Sequence, residues 1–444
     1  MATKKVSKKT TKKKVTKKSS PSTATEKSPP KAEKNLGKSL TAKEKAAAFV
    51  KEMNASKKFK GKAQCCLASE HATPYHLRRP TGVMGLDLAL GGGLHAGGGV
   101  QVWGGQSAGK THLALRTAGE VQRNYGENAL IAIGLTEIRL DKAFCRRSGF
   151  CVAYSEREIK EFNHIRIANG LPPFTKEEAA DLRKQIGTVL LYKAETGDVM
   201  LDQTVKGLRD LHSACQLLII ESLGALLTPD QNEKDIGDRV YAGASGMVTT
   251  WQNKIYPLFM LDGEDGSMLE TTILGINQAR AAIGGGPRGP QTKAAMGAYS
   301  WQHAQLADIE LRKGKPFWAD SANTVRGGRE VHWEIKKGKA GTHDGLKGTY
   351  DWHMMPKTSP VFWSECELMR SQWGIDTITD LVETAAKVGA IERSGNWLSF
   401  PQAGAHVRAN GASNFAELVV ADPELEVQLR DACLRAANLT VRYK

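Results

Sequence analysis

VQVWGGQSAGKTHLALRTAGEVQR, residues 100–123, is the stretch on which the reading of this chain turns. A short apolar run, VQVW, leads into GGQSAGKT, and HLALRTAGEVQR continues with the spacing of a helix. Gly104, Gly109, Lys110 and Thr111 match G-x-x-x-x-G-K-[ST], with Gly105, Gln106, Ser107 and Ala108 between them and His112 directly after. In such a loop the glycines let backbone N–H groups turn onto phosphate oxygens, and the helix N-terminus adds the positive end of its dipole. Lys110 then reaches the terminal phosphates and Thr111 ligates Mg²⁺. The competing reading is an ordinary turn in a chain that carries 45 glycines. A strand before the loop and a helix after it argue for the phosphate loop.

Working outward, ALIAI (129–133), TVLLY (188–192), LLII (217–220) and TTILGI (271–276) are further short apolar runs, with helical patterns around 198–212 and 238–254. Strands alternating with helices at this spacing predict a mainly parallel sheet covered on both faces. A Lys- and Glu-rich stretch at about 152–187 interrupts the rhythm, and an N-terminal helix is expected within 40–57, with Ala47, Phe49, Val50 and Met53 on one side. The last eighty residues read as a small separate α/β unit. Ile378, Leu381, Val382 and Ala385 share one helix face that Gly389 can end, a hairpin turns at Ser394-Gly395, and Asp422 caps a helix with Pro423 at its first position.

A phosphate loop needs an acid at a second strand end to hold the metal's water shell, and Glu221 after LLII stands in that place. Glu137 follows ALIAIGLT, where a carboxylate can orient or deprotonate an attacking water. The expected cofactors are therefore ATP and Mg²⁺.

The charge is unevenly placed. Residues 1–45 carry fifteen lysines against three glutamates, so the tail holds twelve of the fifteen net positive charges. Its Lys, Ser, Thr and Pro composition cannot repay the entropy of ordering, which predicts disorder, and a polycation of this kind gains affinity for phosphate backbones by counterion release. A solubilising or sorting tail is the alternative. Seven scattered cysteines with no C-x-x-C pair indicate reduced thiols rather than a disulfide framework or a zinc site. Apolar stretches of membrane-spanning length and a secretory h-region are not seen, so no membrane partner is expected.

From about residue 56 to residue 437 the chain resembles the RecA recombinase family. The resemblance rests on TGVMGLDLALGGGLHAGGGVQVWGGQSAGKTHLAL, TEIRLDKAF, ETGDVML, LLIIESLGALLTP, IGDR and GINQAR, in that order. It implies a RecA-type P-loop ATPase core, with Glu137 as general base, Asp141 and Phe144 beside the adenine, and Gln278 linking the γ-phosphate to DNA binding. EIKKGKAG is similar to the strand whose lysine pair, here Lys337 and Lys339, reaches a neighbouring protomer's ATP. Lys234 and Arg239 in a first loop, and Arg280, Arg288 and Lys293 in a second, become candidate DNA contacts. Glu221 stands where the family usually has Asp, and the second loop lacks the aromatic and paired glycines expected there. The stretch at 152–187 and the lysine tail have no counterpart in the resemblance.

The domain organisation expected is a disordered tail over 1–39, an N-terminal helix and protomer-linking segment over 40–75, the ATPase core over 76–355 and the C-terminal unit over 356–444. The resemblance implies a DNA-dependent ATPase that forms helical homo-oligomeric filaments on single-stranded DNA, pairs it with double-stranded DNA and exchanges strands, in the cytoplasm at the nucleoid. A ring-forming motor or loader of the same fold, and a DNA-coating protein with little turnover, stand as alternatives.

Overall fold

The computed structural model describes residues 41–59, 63–69, 77–136, 140–211, 214–233, 243–260, 268–281, 293–295, 299–318, 322–323, 326–354, 374–404 and 406–443. The strands are β1 (Arg78–Arg79), β2 (Leu94–His95), β3 (Gly98–Gly104), β4 (Leu130–Leu135), β5 (Thr188–Tyr192), β6 (Leu217–Glu221), β7 (Thr272–Ala281), β8 (Lys293–Ala295), β9 (Ala307–Trp318), β10 (Arg326–Gly338), β11 (Lys347–His353), β12 (Gly374–Ile375), β13 (Glu392–Ser394), β14 (Trp397–Ser399) and β15 (Arg408–Asn410). The principal helices are α1 (Ala42–Ala55), α2 (Met84–Ala89), α3 (Lys110–Tyr125), α4 (Lys142–Arg147), α5 (Glu156–Ala168), α6 (Lys176–Arg183), α7 (Gly197–Leu211), α8 (Pro229–Glu233), α9 (Gly243–Met260), α10 (Tyr299–Ala304), α11 (Thr377–Lys387), α12 (Ala412–Ala421) and α13 (Pro423–Ala436).

A large sheet runs in the order β12-β11-β10-β9-β3-β7-β6-β4-β5, with β8 paired to β7. Its centre, from β9 through β5, is parallel, and the β9-β10-β11-β12 flank is antiparallel. Alternation of side chains along each strand splits the apolar runs between two cores. Ile131, Ile133, Leu217, Ile219, Leu274 and Ile276 pack toward α3 on one face. Ala132, Leu218, Ile220 and Ile273 pack toward α7 and α9 on the other. Burial on both faces is why these strands read as near-continuous hydrophobic runs. Each fully buried Ile or Leu contributes roughly 1.5–3 kcal/mol, so these two layers, more than any hydrogen bond, hold the strand ends in place.

The stretch at 152–187 folds as a helical pair, α5 and α6, inserted between β4 and β5. Ser155–Glu158 and Thr175–Glu178 form capping boxes at its two helix starts. Tyr154, Ile159, Ala179 and Leu182 form a small core of their own. Arg146 at the end of α4 is buried and donates to the carbonyls of Val152, Asp181, Leu182 and Lys184.

The C-terminal residues build a further core in which α11, α12 and α13 cover the β13-β14-β15 sheet. Asp422 accepts from the backbone of Glu424 and Leu425, with Pro423 at the first helical position, and Leu425, Leu429 and Cys433 face inward. The hairpin needs a correction: Ser394 pairs with Trp397, so the turn residues are Gly395 and Asn396. Gly395 has φ +60°, and a two-residue hairpin whose first central residue is left-handed suits glycine there. The helix expected around 238–254 is described from Gly243 and runs on to Met260 in spite of Pro257.

The C-terminal unit is tied to the core by charge and backbone. Arg123 of α3 bonds Glu426 of α13 at 2.6 Å, Asp380 of α11 accepts from Gly85 of α2 at 3.2 Å, and Arg78 N donates to Arg442 O at 2.9 Å. Helix α1 buries none of its residues, and Phe49 is 54% exposed. Among the described residues no helix is long and apolar enough to cross a membrane. Of the cysteines described, Cys145, Cys151, Cys215 and Cys433 are buried free thiols, while Cys65 is half-buried and Cys66 exposed.

Candidate functional site

The site lies where the parallel strands end. Gly104 is level with Gln278 across β3–β7 and with Leu311 across β3–β9, and Leu135 is level with Glu221 across β4–β6. The loop that leaves β3 therefore runs between β7 and β9, with β6 and β4 ending farther along the same edge, the crevice in which open α/β sheets bind ligands. Two glycines are required by geometry. A Cβ on Gly104 would come within 2.1 Å of the Leu311 carbonyl oxygen, and Gly109 caps α3 with φ +93°. Gly105, Gln106 and Ser107 are exposed along the loop and Ala108 is buried under it.

Lys110 lies across the loop, its Nζ donating to the carbonyls of Gly104 at 3.1 Å and Gly105 at 2.8 Å. Thr111 Oγ1 donates to Glu221 Oε1 at 2.5 Å. A hydroxyl and a carboxylate brought together at a helix N-terminus are hard oxygen donors, the kind Mg²⁺ takes in small number while it keeps water and phosphate oxygens. The longer glutamate therefore reaches the threonine that a metal site here requires. Among the described residues no group of three or more His, Cys, Asp and Glu side chains gathers as a metal site of its own.

Thr136 was not singled out in the sequence, yet it locks this corner. Its Oγ1 donates to Glu221 O and accepts from Ser222 N, both at 2.5 Å, and its own N donates to Glu221 O at 2.7 Å. Its position next to Glu137 was the one available signal. Glu137 lies outside the described residues, as do Lys234, Arg239 and Arg288. Arg280 falls in β7 and Lys293 in β8, whose pairing brings the two backbones level with Ala294 and Ala281 respectively.

A cavity of about 300 Å³ opens between Thr111 and Glu221 on one side and Asp141, Phe144 and Leu140 on the other, floored by Ile133, Ile219 and Ile276. Asp141 is exposed and caps α4, accepting from Phe144 N at 3.0 Å. Phe144 packs its ring 4.3 Å from that of His112. His112, grouped with the nucleotide-binding stretch by its place directly after the loop, has its side chain among core residues. Its imidazole is buried, bonded to Ser148 at 2.7 Å and 4.7 Å from the Trp352 ring, so its backbone alone remains to meet a ligand. Burial, with the Arg147 charge adding to it, pushes this imidazole down to about 3 and keeps it neutral. Burial likewise pushes the Cys145 thiol up to about 12, and the charges of Asp141 and Glu221 add to that.

Lys337 and Lys339 are not brought to this site. Lys337 is level with Asp308, and Asp308 with Gln101, three residues short of Gly104, about 10 Å back along the strand. Lys337 Nζ donates to the carbonyls of Gln302 and His303, and Lys339 Nζ to that of His303 at 2.8 Å. Both cations thus sit on the carbonyl end of α10, where the helix dipole favours positive charge.

Sequence comparison sets this chain beside known proteins. The RecA N-terminal domain family matches residues 48–155. The protein RecA of Thermus aquaticus is 24% identical over 363 residues, which are 82% of this chain and 86% of that protein. The protein RecA of Parvibaculum lavamentivorans is 24% identical over 357 residues, 80% of this chain and 78% of that protein. The matched N-terminal domain and relatives aligned over four fifths of the chain support a RecA-family protein. About three quarters of the aligned residues differ from these relatives, and the α5–α6 pair lies within the core of this chain.

Proposed function

We propose that this RecA-family chain is a DNA-dependent ATPase that assembles on single-stranded DNA and promotes homologous pairing and strand exchange with double-stranded DNA. The observation that carries the reading is the separation of Lys337 and Lys339 from the chain's own phosphate loop. A γ-phosphate held at Lys110 is beyond their reach in the same chain, so lysines that serve ATP must serve that of a second copy. Such an arrangement makes nucleotide binding and assembly one event, and it couples nucleotide state to filament geometry and DNA affinity.

In this reading the backbone N–H groups of Gly104 to Thr111 hold the phosphates and Lys110 neutralises them. Thr111 and Glu221 hold Mg²⁺, which when bound offsets charge on the phosphate oxygens. Asp141 and Phe144 border the base. Glu137 takes the proton of the attacking water, and Gln278, level with Gly104 at the mouth of the second loop, reports the γ-phosphate to the DNA contacts Lys234, Arg239, Arg280, Arg288 and Lys293. The unburied apolar side of α1 fits a protomer-linking role in the same assembly, with the ATPase core over 76–355 and the C-terminal unit over 356–444 following it. The expected compartment is the cytoplasm, at the nucleoid.

The test is the rate of ATP hydrolysis with and without single-stranded DNA, with electron microscopy of the same mixture. Filaments with DNA-stimulated turnover support the proposal. Closed rings formed without DNA, or filaments without turnover, overturn it.

A further inference from the structure

A row of polar side chains crosses three strands just behind the phosphate loop. Gln101 on β3 and Asn277 on β7 are fully buried, and Asp308 on β9 is half-buried. Buried amides in the middle of a parallel sheet are costly unless partnered, and these partner one another. Gln278 N donates to Asn277 Oδ1 at 3.0 Å, Asn277 Nδ2 donates to Gln101 Oε1 at 3.3 Å, and Gln101 Nε2 donates to Asp308 Oδ1 at 3.4 Å. One end of the row is the backbone of Gln278, beside Gly104. The other end is a carboxylate level with Lys337 across β9–β10.

The row has a direction on which its two ends agree, since the Gln278 N–H can only donate and the Asp308 carboxylate only accepts. An ionised carboxylate only accepts, so Gln101 must turn its NH₂ to Asp308 and its oxygen to Asn277. Asn277 must then turn its own NH₂ to Gln101, which leaves its oxygen for the N–H of Gln278. Burial lifts the Asp308 carboxyl to about 6, while Gln101 and Trp103 on β3, Gln305 just before β9, and the charge of Lys337 favour the ionised form. Lys337 is thus the cation that supports one of the two ends on which the order of the row depends.

We propose that Asp308, Gln101 and Asn277 are positioning residues that set the backbone of Gln278 according to where Lys337 sits, so that a neighbour's nucleotide and the chain's own are read together. The inference rests on the reading of Gln278 as the γ-phosphate sensor and of Lys337 as a group that serves a second copy. With Lys337 on the α10 carbonyls, Asp308 keeps the support of that charge and the row keeps its direction. With Lys337 drawn to a phosphate of the next protomer, Asp308 loses that support and the hold on Gln278 loosens.

The experiment measures the affinity of the full chain for single-stranded DNA with ADP and with a non-hydrolysable ATP analogue, and takes the ratio. Asp308→Asn keeps the size of the side chain and removes the acceptor-only end, so the ratio should fall about fivefold or more. ATP affinity without DNA and the thermal midpoint should stay at parental values. Adding Gln101→Glu moves a carboxylate one place along the row, where it accepts from both neighbours and turns Asn277 back to its original direction, so the ratio should recover. Adding Gln101→Leu instead should not restore it. Recovery of the midpoint without recovery of the ratio would make the row merely structural and overturn the inference. Gln278→Ala separates the two levels: if it leaves the ratio intact, the sensor reading fails and the inference with it. If Gln278→Ala collapses the ratio while Asp308→Asn does not, only the role of the row is overturned.

Discussion

Lys110 and His112 are two residues apart and face opposite environments. Lys110 is half-exposed over a loop of carbonyls and N–H groups, whereas His112 is enclosed by Ser148, Phe144 and Trp352. Lys110→Ala removes the point charge that faces the terminal phosphates and should abolish nucleotide binding, measured by titration with a fluorescent ATP analogue. Wild-type affinity in that titration would refute the phosphate loop. His112 makes a prediction about acid. Its folded value of about 3 lies below the unfolded value near 6.5, so its contribution to stability is complete above pH 6.5 and is lost as pH falls toward 3. Between pH 7 and pH 5 this amounts to about 2 kcal/mol at 1.36 kcal/mol per unit. His112→Phe keeps a ring between Phe144 and Trp352 but cannot titrate. Urea unfolding at the two pH values should therefore show a smaller loss for the variant than for the parent, and equal losses would count against a neutral buried imidazole.

At the scale of elements, the α5–α6 pair shows how a long connection between β4 and β5 is carried without disturbing the sheet. Its helices start on capping boxes that need only local residues, and its small apolar core is its own. The join to the rest runs through Arg146, whose guanidinium serves four backbone carbonyls of residues 152–184. Arg146→Met keeps the stem and removes the donors, leaving carbonyls to find water at about 1–3 kcal/mol for each that stays buried. The expected result is faster protease cleavage in residues 169–174, by several-fold, with nucleotide affinity unchanged. An unchanged cleavage rate would mean that the pair's own core, rather than Arg146, keeps it closed.

At the scale of the whole molecule, two predictions concern interactions that one folded chain cannot satisfy alone. Replacing Lys337 and Lys339 with Ala should leave the isolated protomer's nucleotide affinity nearly intact and lower both turnover and the ATP-dependent gain in DNA affinity. Mixing that variant with Lys110→Ala protomers creates some interfaces at which each supplies what the other lacks. Turnover above the sum of the two separate proteins supports shared sites, while no rescue in verified mixed assemblies favours a purely structural clamp on α10. The lysine tail, which lies outside the described residues, bears on DNA through charge. Deleting residues 2–39 removes most of the net charge. The log-log dependence of single-stranded DNA affinity on salt should then become shallower by about 0.7 for each phosphate that the tail no longer neutralises. An unchanged slope would show that the tail does not touch DNA.

The sequence by itself determined the parts whose cause is local. The phosphate loop, the apolar runs on either side of it, the cap at Asp422 and the stop at Gly389 are set by neighbours a few residues away, and each was legible as a pattern. The hairpin was legible to within one residue, because serine, glycine and asparagine all suit a turn and only the pairing of Ser394 with Trp397 assigns the left-handed position. Tertiary structure decided what depends on partners far along the chain. His112 reads only as the first helical residue after the loop until Trp352, from a strand 240 residues later, closes over it. Glu221 becomes a partner of Thr111 only through the order of strands β3-β7-β6, with Thr136 fixing the corner. Lys337 and Lys339 carry the same charge wherever they lie, and register alone places them back along the sheet from the loop. Strand order and register follow from which apolar faces bury one another over the whole sheet, and no short window of sequence contains that competition.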